Sequence, residues 1–407
     1  MTLTFRPVDS VPVPAASDGL VAPRPCPVCN QQAGEPVTAL HDFQFFSDDA
    51  KTRKRVLVQI SVCRACDTTY TDPRYTADGF ALLFAEAGQS YGSSEGRPHE
   101  QVGWLTERGL LPDGAAVLDV GCYMGRFLSL LPKTTERLGV DIDPLLIDKA
   151  RAESPDIHFI AADFEKLTLD RRVDLITMFH VLEHVGEPVA VLRQLRALSH
   201  DGTRLVVEIP ILENGRTNDL HGVFSMQHLT HFSRDSALRC FARAGWKLLE
   251  MQDCDGYNGT RFIAAPDSER AVTTRDAQAR TILVDALSWM AESATQVERR
   301  VATVPQEGDL VVWGAGLHTE LLYHRTSLFA GGTNRRFALI DSDKLKQGKT
   351  WRGIPIHAAE ALADVDWTRT TLVISSYGGQ ESIAEAARAR GVPGERIVKL
   401  YAQIQAY

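Results

Sequence analysis

The sequence predicts an α/β protein: a doubly wound parallel sheet, preceded by a cysteine-rich amino-terminal region and followed by a second, smaller α/β unit. Three observations predict it. A glycine turn, D-V-G-C-Y-M-G from Asp119 to Gly125, stands between the apolar run 115–118 and a helical stretch at 126–131. Strand-like runs separated by helical stretches then recur at 137–143, 157–163, 173–179 and 203–210, an alternation that builds parallel sheets with crossover helices. Two C-x-x-C pairs, Cys26 with Cys29 and Cys63 with Cys66, come before all of this.

At 407 residues the chain is too long for one ordinary core. The expected division is a flexible arm at 1–25, a knuckle region at 26–98, the main sheet at 99–266, a linking helix at 267–303 and the smaller Rossmann-like unit at 304–407. A hydrophobic share of 44% and a charged share of 24% are those of a soluble globular protein. No apolar run approaches the ~20 residues of a membrane span. The opening M-T-L-T-F-R-P-V-D-S lacks a basic flank and a long apolar core, so no signal peptide is expected. Seven cysteines, four of them in C-x-x-C pairs, suit a reducing, cytoplasmic compartment better than a disulfide framework. A net charge of -8 disfavours a broad phosphate-binding surface, so a small-molecule substrate is expected and nucleic acid is not.

Residues 1–25 carry several prolines and no periodicity, the composition of a loose arm. In each knuckle beyond it, two thiolates can turn toward one point, and four make the closed tetrahedral site that zinc prefers. Such a site has no open position and serves the fold; a redox pair is the alternative. Arg53-Lys54-Arg55 lies between the knuckles and reads as a solvated hairpin tip offset by Asp48 and Asp49. Tyr91-Gly92-Ser93-Ser94 is polar and glycine-rich; its tyrosine is either a lid over a pocket or a packing aromatic.

In the main sheet the glycine turn lets backbone N–H groups approach a ligand, although such turns also serve plain packing. Asp141 follows at a strand tip, where a carboxylate can meet ribose hydroxyls, and Asp163 ends the next run. His180, Glu183 and His184 match H-x-x-E-H, also a zinc-peptidase pattern. That chemistry needs a long helix, and here the pattern follows a strand and Gly186-Glu187-Pro188 breaks it, so a peptidase is not expected. His221, His228 and His231 precede Ser233, which can cap a helix ending at Gly245. They are expected in a loop on the ligand-binding rim, where one can act in catalysis. Trp246 to Cys254 and Gly259 to Ala265 read as a closing hairpin.

Residues 267–303 have helical spacing. Strands are then expected at 309–313, 337–341, 371–375 and 396–400, with a helix at 317–326 after Gly314-Ala315-Gly316. That G-x-G has Thr319 in place of a third glycine, so a dinucleotide site and a packing turn both stay open.

The pieces V-L-D-V-G-C-Y-M-G, G-V-D-I-D, A-A-D-F and F-H-V-L-E-H-V resemble, in order and spacing, the class I S-adenosylmethionine-dependent methyltransferases over about residues 100 to 265. The resemblance implies that Asp119, Gly121 and Gly125 flank the methionine part of the cofactor, Asp141 holds its ribose, Asp163 and Phe164 border its adenine, and Phe179 and His180 line the floor. Tyr123 stands where that family usually has glycine, which implies a narrower pocket. The order of parts, with C-P-V-C, C-R-A-C, Y-G-S-S, H-L-T-H-F-S, V-V-W-G-A-G and D-S-D-K-L-K-Q-G-K, resembles the sugar C-methyltransferases that act on nucleotide-linked keto sugars. That resemblance implies His228 as general base, with Tyr91 and His231 positioning substrate; Ser225 and Gln227 depart from the family's tyrosine and glutamate. O- or N-methylation of a sugar or natural product, RNA methylation with a zinc knuckle, and a catalytically silent cofactor binder are the alternatives.

Overall fold

A computed structural model of the chain describes residues 3–8, 19–44, 55–85, 96–271, 275–330 and 335–405. Tyr91, Asp48, Asp49, Arg53 and Lys54 lie outside them. The amino-terminal strands are β1 (Val21–Ala22), β2 (Gly34–Gln44), β3 (Arg55–Cys63), β4 (Thr69–Thr71) and β5 (Arg74–Tyr75). The glycine turn follows β6 (Ala116–Val120), and β7 (Glu136–Asp141), β8 (His158–Ala161), β9 (Val173–Phe179) and β10 (Ser199–Pro210) come next. After the two-residue β11 (Thr230–His231), β12 (Trp246–Asp253) and β13 (Gly259–Pro266) form the expected hairpin. The last six are β14 (Asp309–Trp313), β15 (Phe337–Ile340), β16 (Thr350–Trp351), β17 (Ile354–His357), β18 (Thr370–Ile374) and β19 (Ile397–Lys399).

The central sheet has the order β12-β13-β10-β9-β6-β7-β8. It is parallel except for β13, which runs antiparallel to both neighbours. Its middle strands are mostly apolar because helices cover both faces: Val117, Leu118, Val120, Ile176, Met178 and Val207 are all fully buried. A six-stranded sheet, β16-β17-β15-β14-β18-β19, holds the carboxy-terminal strands. The helix Ala279–Val301 joins the two. Its Leu283, Ala286 and Met290 pack with Leu212, Val223 and Phe224, while Val297 and Val301 pack with Leu310 and Leu328.

Three expectations are corrected. The described part of the arm is not loose: Leu3 is buried beside Val311, Trp313 and Ile340, and Arg6 and Phe337 exchange backbone hydrogen bonds of 2.9 and 2.8 Å. Apolar Leu3 and Phe5 outweigh the prolines around them. Arg55 is not a solvated tip residue; it is buried and paired with Asp42 at 3.3 Å. His231 is not in a loop. It lies in β11, which pairs with β4 and completes the sheet β11-β4-β3-β2. A stretch from the central unit thereby becomes an edge of the amino-terminal sheet.

Candidate active site

In the central sheet the chain runs β6, β7, β8 to one side and then returns to place β9 beside β6 on the other. Such a reversal opens a crevice at the carboxyl ends of the two strands, and here it falls between the Asp119–Gly125 turn and Phe179. Gly121 and Gly125 have φ of +74° and +72°, values that favour glycine. A Cβ at Gly121 would lie 2.3 Å from Val181 Cγ2, and one at Gly125 2.3 Å from Phe159 Cζ. Neither site admits a side chain, because Val181 and Phe159 pack directly against the two glycines. Tyr123 also has positive φ, +50°, which explains on conformational grounds why glycine suits its position. Its residue is 37% exposed, so its ring is not buried in the fold.

Asp141 ends β7 directly beside this turn. Its carboxylate accepts backbone N–H bonds from Tyr123 and Asp143, both 3.0 Å, and so fixes the turn to the strand tip. Asp119 is buried within β6 and accepts a 2.7 Å bond from the Thr177 hydroxyl on β9. Burial pushes its carboxyl up to about 7 against that hydrogen bond, and the charge of Asp141 adds to the rise. Asp163 and Phe164 follow β8, half-buried, with Asp163 3.2 Å from Lys166. Phe179 meets Phe127 edge-on at 5.0 Å. The glycine turn and the Asp141 carboxylate bonded to it thus stand together at the carboxyl end of the sheet, and their chemistry fits an adenosyl cofactor.

An acidic network behind the crevice had no reading in the sequence. Glu208, fully buried on β10, accepts from the Tyr257 hydroxyl at 2.6 Å and from Arg261 Nε at 2.7 Å. Arg261 also donates to Glu100 at 2.8 Å. His180 has φ of +54°, and its Nε2 lies 3.0 Å from Glu208 while its Nδ1 lies 3.4 Å from Glu183. Burial works against a charged imidazole, but the two carboxylates outweigh it and raise His180 to about 9. Burial likewise opposes ionisation of Glu208, and the His180 contact overrides it, holding the carboxyl at about 2. A lone acid inside the apolar run 205–209 was the available signal.

A family model described as a methyltransferase domain matches residues 97–251. The central unit thus matches a methyltransferase domain. The trans-aconitate 2-methyltransferase of Enterobacter sp. (strain 638) is 32% identical over 123 residues, 30% of this chain and 48% of that protein. A ubiquinone biosynthesis O-methyltransferase of Coxiella burnetii (strain RSA 493 / Nine Mile phase I) is 37% identical over 98 residues, 23% of this chain and 42% of that one. The chain thus spans less than half the length of these relatives. Among solved structures, a SAM-bound amino pentose methyltransferase of Micromonospora echinaspora is 21% identical, with a TM-score of 0.35, covering 45% of this chain and 94% of that one.

The methyltransferase domain carries its histidine cluster after β10. His228 is half-buried, and its carbonyl accepts from the Thr71 hydroxyl at 2.9 Å. Burial first, then the neighbouring imidazoles of His184, His231 and His221, lower its pKa well below the ordinary histidine value. His231 is 3% exposed and 3.3 Å from the Thr71 hydroxyl, with burial lowering it to about 3. It therefore stands behind His228 instead of beside it on the rim. His221 turns away toward Asp219, at 3.3 Å. Tyr91 lies outside the described residues.

Away from the methyltransferase domain's crevice, the four knuckle thiols converge. Cys26 and Cys66 Sγ lie 3.6 Å apart, Cys29 and Cys63 3.5 Å, and all four sulfurs fall within 4.8 Å of one another. Zn–S bonds of ~2.3 Å in a tetrahedron put sulfurs about 3.8 Å apart, so the residues fit a four-thiolate zinc site. Contact with Cys26 and Cys63 lowers the Cys66 thiol, while those same contacts raise Cys26. No helix among the described residues is long and apolar enough to cross a membrane.

Proposed function

We propose that this protein is an S-adenosylmethionine-dependent methyltransferase acting on a small activated metabolite and, in the finer reading, on the carbon of a nucleotide-linked keto sugar. The observation that carries the reading is the glycine turn at the β6/β9 reversal, with Gly121 and Gly125 at positive φ and Asp141 bonded to it. In this reading Asp119, Gly121 and Gly125 flank the methionine part. Asp141 holds the ribose, Asp163 and Phe164 border the adenine, and Phe179 and His180 form the floor. When bound, the cofactor supplies an electrophilic methyl group on a sulfonium. The chain's part is to hold the acceptor in line and dry, which can supply about 7–11 kcal/mol of the barrier.

His228 is assigned to the acceptor's side. Its neutral imidazole keeps a lone pair free at pH 7 to take a proton, help worth about 10² to 10⁴ in rate. His231, buried in β11, fixes the loop that carries His228, and Tyr91 remains assigned to substrate. Cys26, Cys29, Cys63 and Cys66 would hold a structural Zn2+. The printed name of the Coxiella burnetii relative favours a second reading, methylation of a hydroxyl oxygen. RNA methylation loses support with Arg55 buried on Asp42.

Titration calorimetry with S-adenosylmethionine tests the cofactor, and no binding overturns the reading. Incubation with candidate keto sugars in D2O separates the acceptors: deuterium next to the carbonyl is expected for carbon and not for oxygen. His228→Ala should abolish turnover while cofactor binding persists; unchanged turnover refutes its assignment.

A further inference from the structure

We infer that Glu183, His184 and His228 form a binding site for a single divalent first-row transition-metal cation, of the kind that takes imidazole and carboxylate ligands, on the acceptor side of the crevice. One ligand atom from each lies within 4.8 Å of the other two, and His184 Nε2 stands 3.9 Å from Glu183 Oε1. Bonds of ~2.0–2.2 Å in a tetrahedron put ligand atoms about 3.4 Å apart. Small side-chain rotations close the difference.

The donor atoms are already prepared. His184 Nδ1 lies 3.0 Å from the Gln227 carbonyl oxygen. A carbonyl only accepts, so Nδ1 carries the proton and Nε2 presents its lone pair, the outer hydrogen bond that metal-bound histidines commonly make. Glu183 is 1% exposed, and neither carboxylate oxygen has a hydrogen bond. Its compensation is His180 Nδ1 at 3.4 Å, while the His184 Nε2 lone pair faces it at 3.9 Å. A buried carboxylate in that state is costly unless an ion completes it. His184 and His228 meet edge-on at 4.8 Å between ring centres, with His231 6.2 Å from His228.

The backbone ties the two ligand-bearing segments together. Leu229 N–H donates to the Glu183 carbonyl at 2.7 Å, and His228 N–H to Ser225 O at 3.1 Å. His180 belongs to the H-x-x-E-H pattern but turns its Nε2 to Glu208, so the peptidase pairing of His180 with His184 does not form. His228, from a distant loop, takes that place. Two histidines and one carboxylate leave positions open, and both histidines are only half-buried. Val181, beside Gly121, links the Leu182–His184 turn to the glycine turn. Resting on the methyl-transfer reading, the open positions would take an oxygen of the acceptor. The His228 lone pair would then be a ligand and not a base.

Metal content of the full-length chain after saturation with Zn2+ and gel filtration tests the site. Two equivalents are expected, falling to one in Glu183→Gln and in His184→Ala. With Co2+ instead, the thiolate charge-transfer band of the cysteine site should persist in both variants, which also reports that they fold. One equivalent in the unaltered chain, or two in both variants, overturns the inference. Cofactor binding is measured in parallel: two metals without cofactor binding would sink the methyl-transfer reading and leave the site standing.

Discussion

Replacing Asp119 by asparagine tests whether a buried acid at the centre of the crevice holds its proton near neutrality. Asp119 is 4% exposed, and its carboxyl is raised from 3.8 to about 7, chiefly by burial. The raised value fixes the sign. Between pH ~4 and ~7 the folded chain keeps a proton that the unfolded chain has released, so stability falls as pH rises through that window. About three pKa units at 1.36 kcal/mol each give a loss of about 4 kcal/mol, complete above pH ~7. Asparagine keeps the Thr177 hydrogen bond and does not titrate. Cofactor-free Asp119→Asn should therefore match the unaltered chain near pH 4 and exceed its stability by about 4 kcal/mol at pH 8. Urea unfolding at half-unit pH steps measures the difference, and parallel stability curves for the two chains would refute the reasoning.

Asp141→Asn removes a carboxylate that accepts two backbone N–H groups; calorimetry should find cofactor binding weaker by about 1.5–3 kcal/mol, roughly 10- to 100-fold. Cys63→Ser should lower bound zinc by one equivalent and lower the melting temperature, as should a strong chelator, because a four-thiolate metal contributes folding energy outright. Arg352 is fully buried, donating to Glu320 at 3.0 Å and to Asp42 at 3.1 Å, with Tyr323 stacked 3.8 Å away. Arg352→Met should cost about 3–5 kcal/mol in urea unfolding, because it removes the guanidinium that neutralises the buried Glu320 carboxylate. Adding Glu320→Gln should recover part of that loss.

The central sheet was legible because each strand announces itself in one short window: an apolar run, a turn residue, then helical spacing. The places of Asp119, Gly121, Gly125 and Asp141 in the turn and at the strand tips were legible the same way, since turn chemistry and strand tips are local. What stayed hidden depends on partners far away in the chain. Strand β11 is two residues long and exists only because β4, some 160 residues earlier, offers it a free edge. Arg55 sits in a run of basic residues, and nothing nearby says that Asp42 and the fold will bury it. Glu208 needed a different habit of reading, in which a charge inside an apolar run marks a network. The convergence of His228 on Glu183 and His184 needed the fold itself, because 44 residues separate His228 from the pair's second member.

The pairing of β11 with β4 has a mechanical consequence. β4 begins three residues after Cys66, and β11 begins two residues after His228, so the cysteine knuckle and the acceptor-side imidazole hang from one pair of hydrogen-bonded strands. An ion held by the four thiolates, as proposed, would brace that shared edge, and stripping it would let the imidazole drift although the thiolates lie outside the crevice. A metal that does no chemistry would then still set the precision of the chemistry.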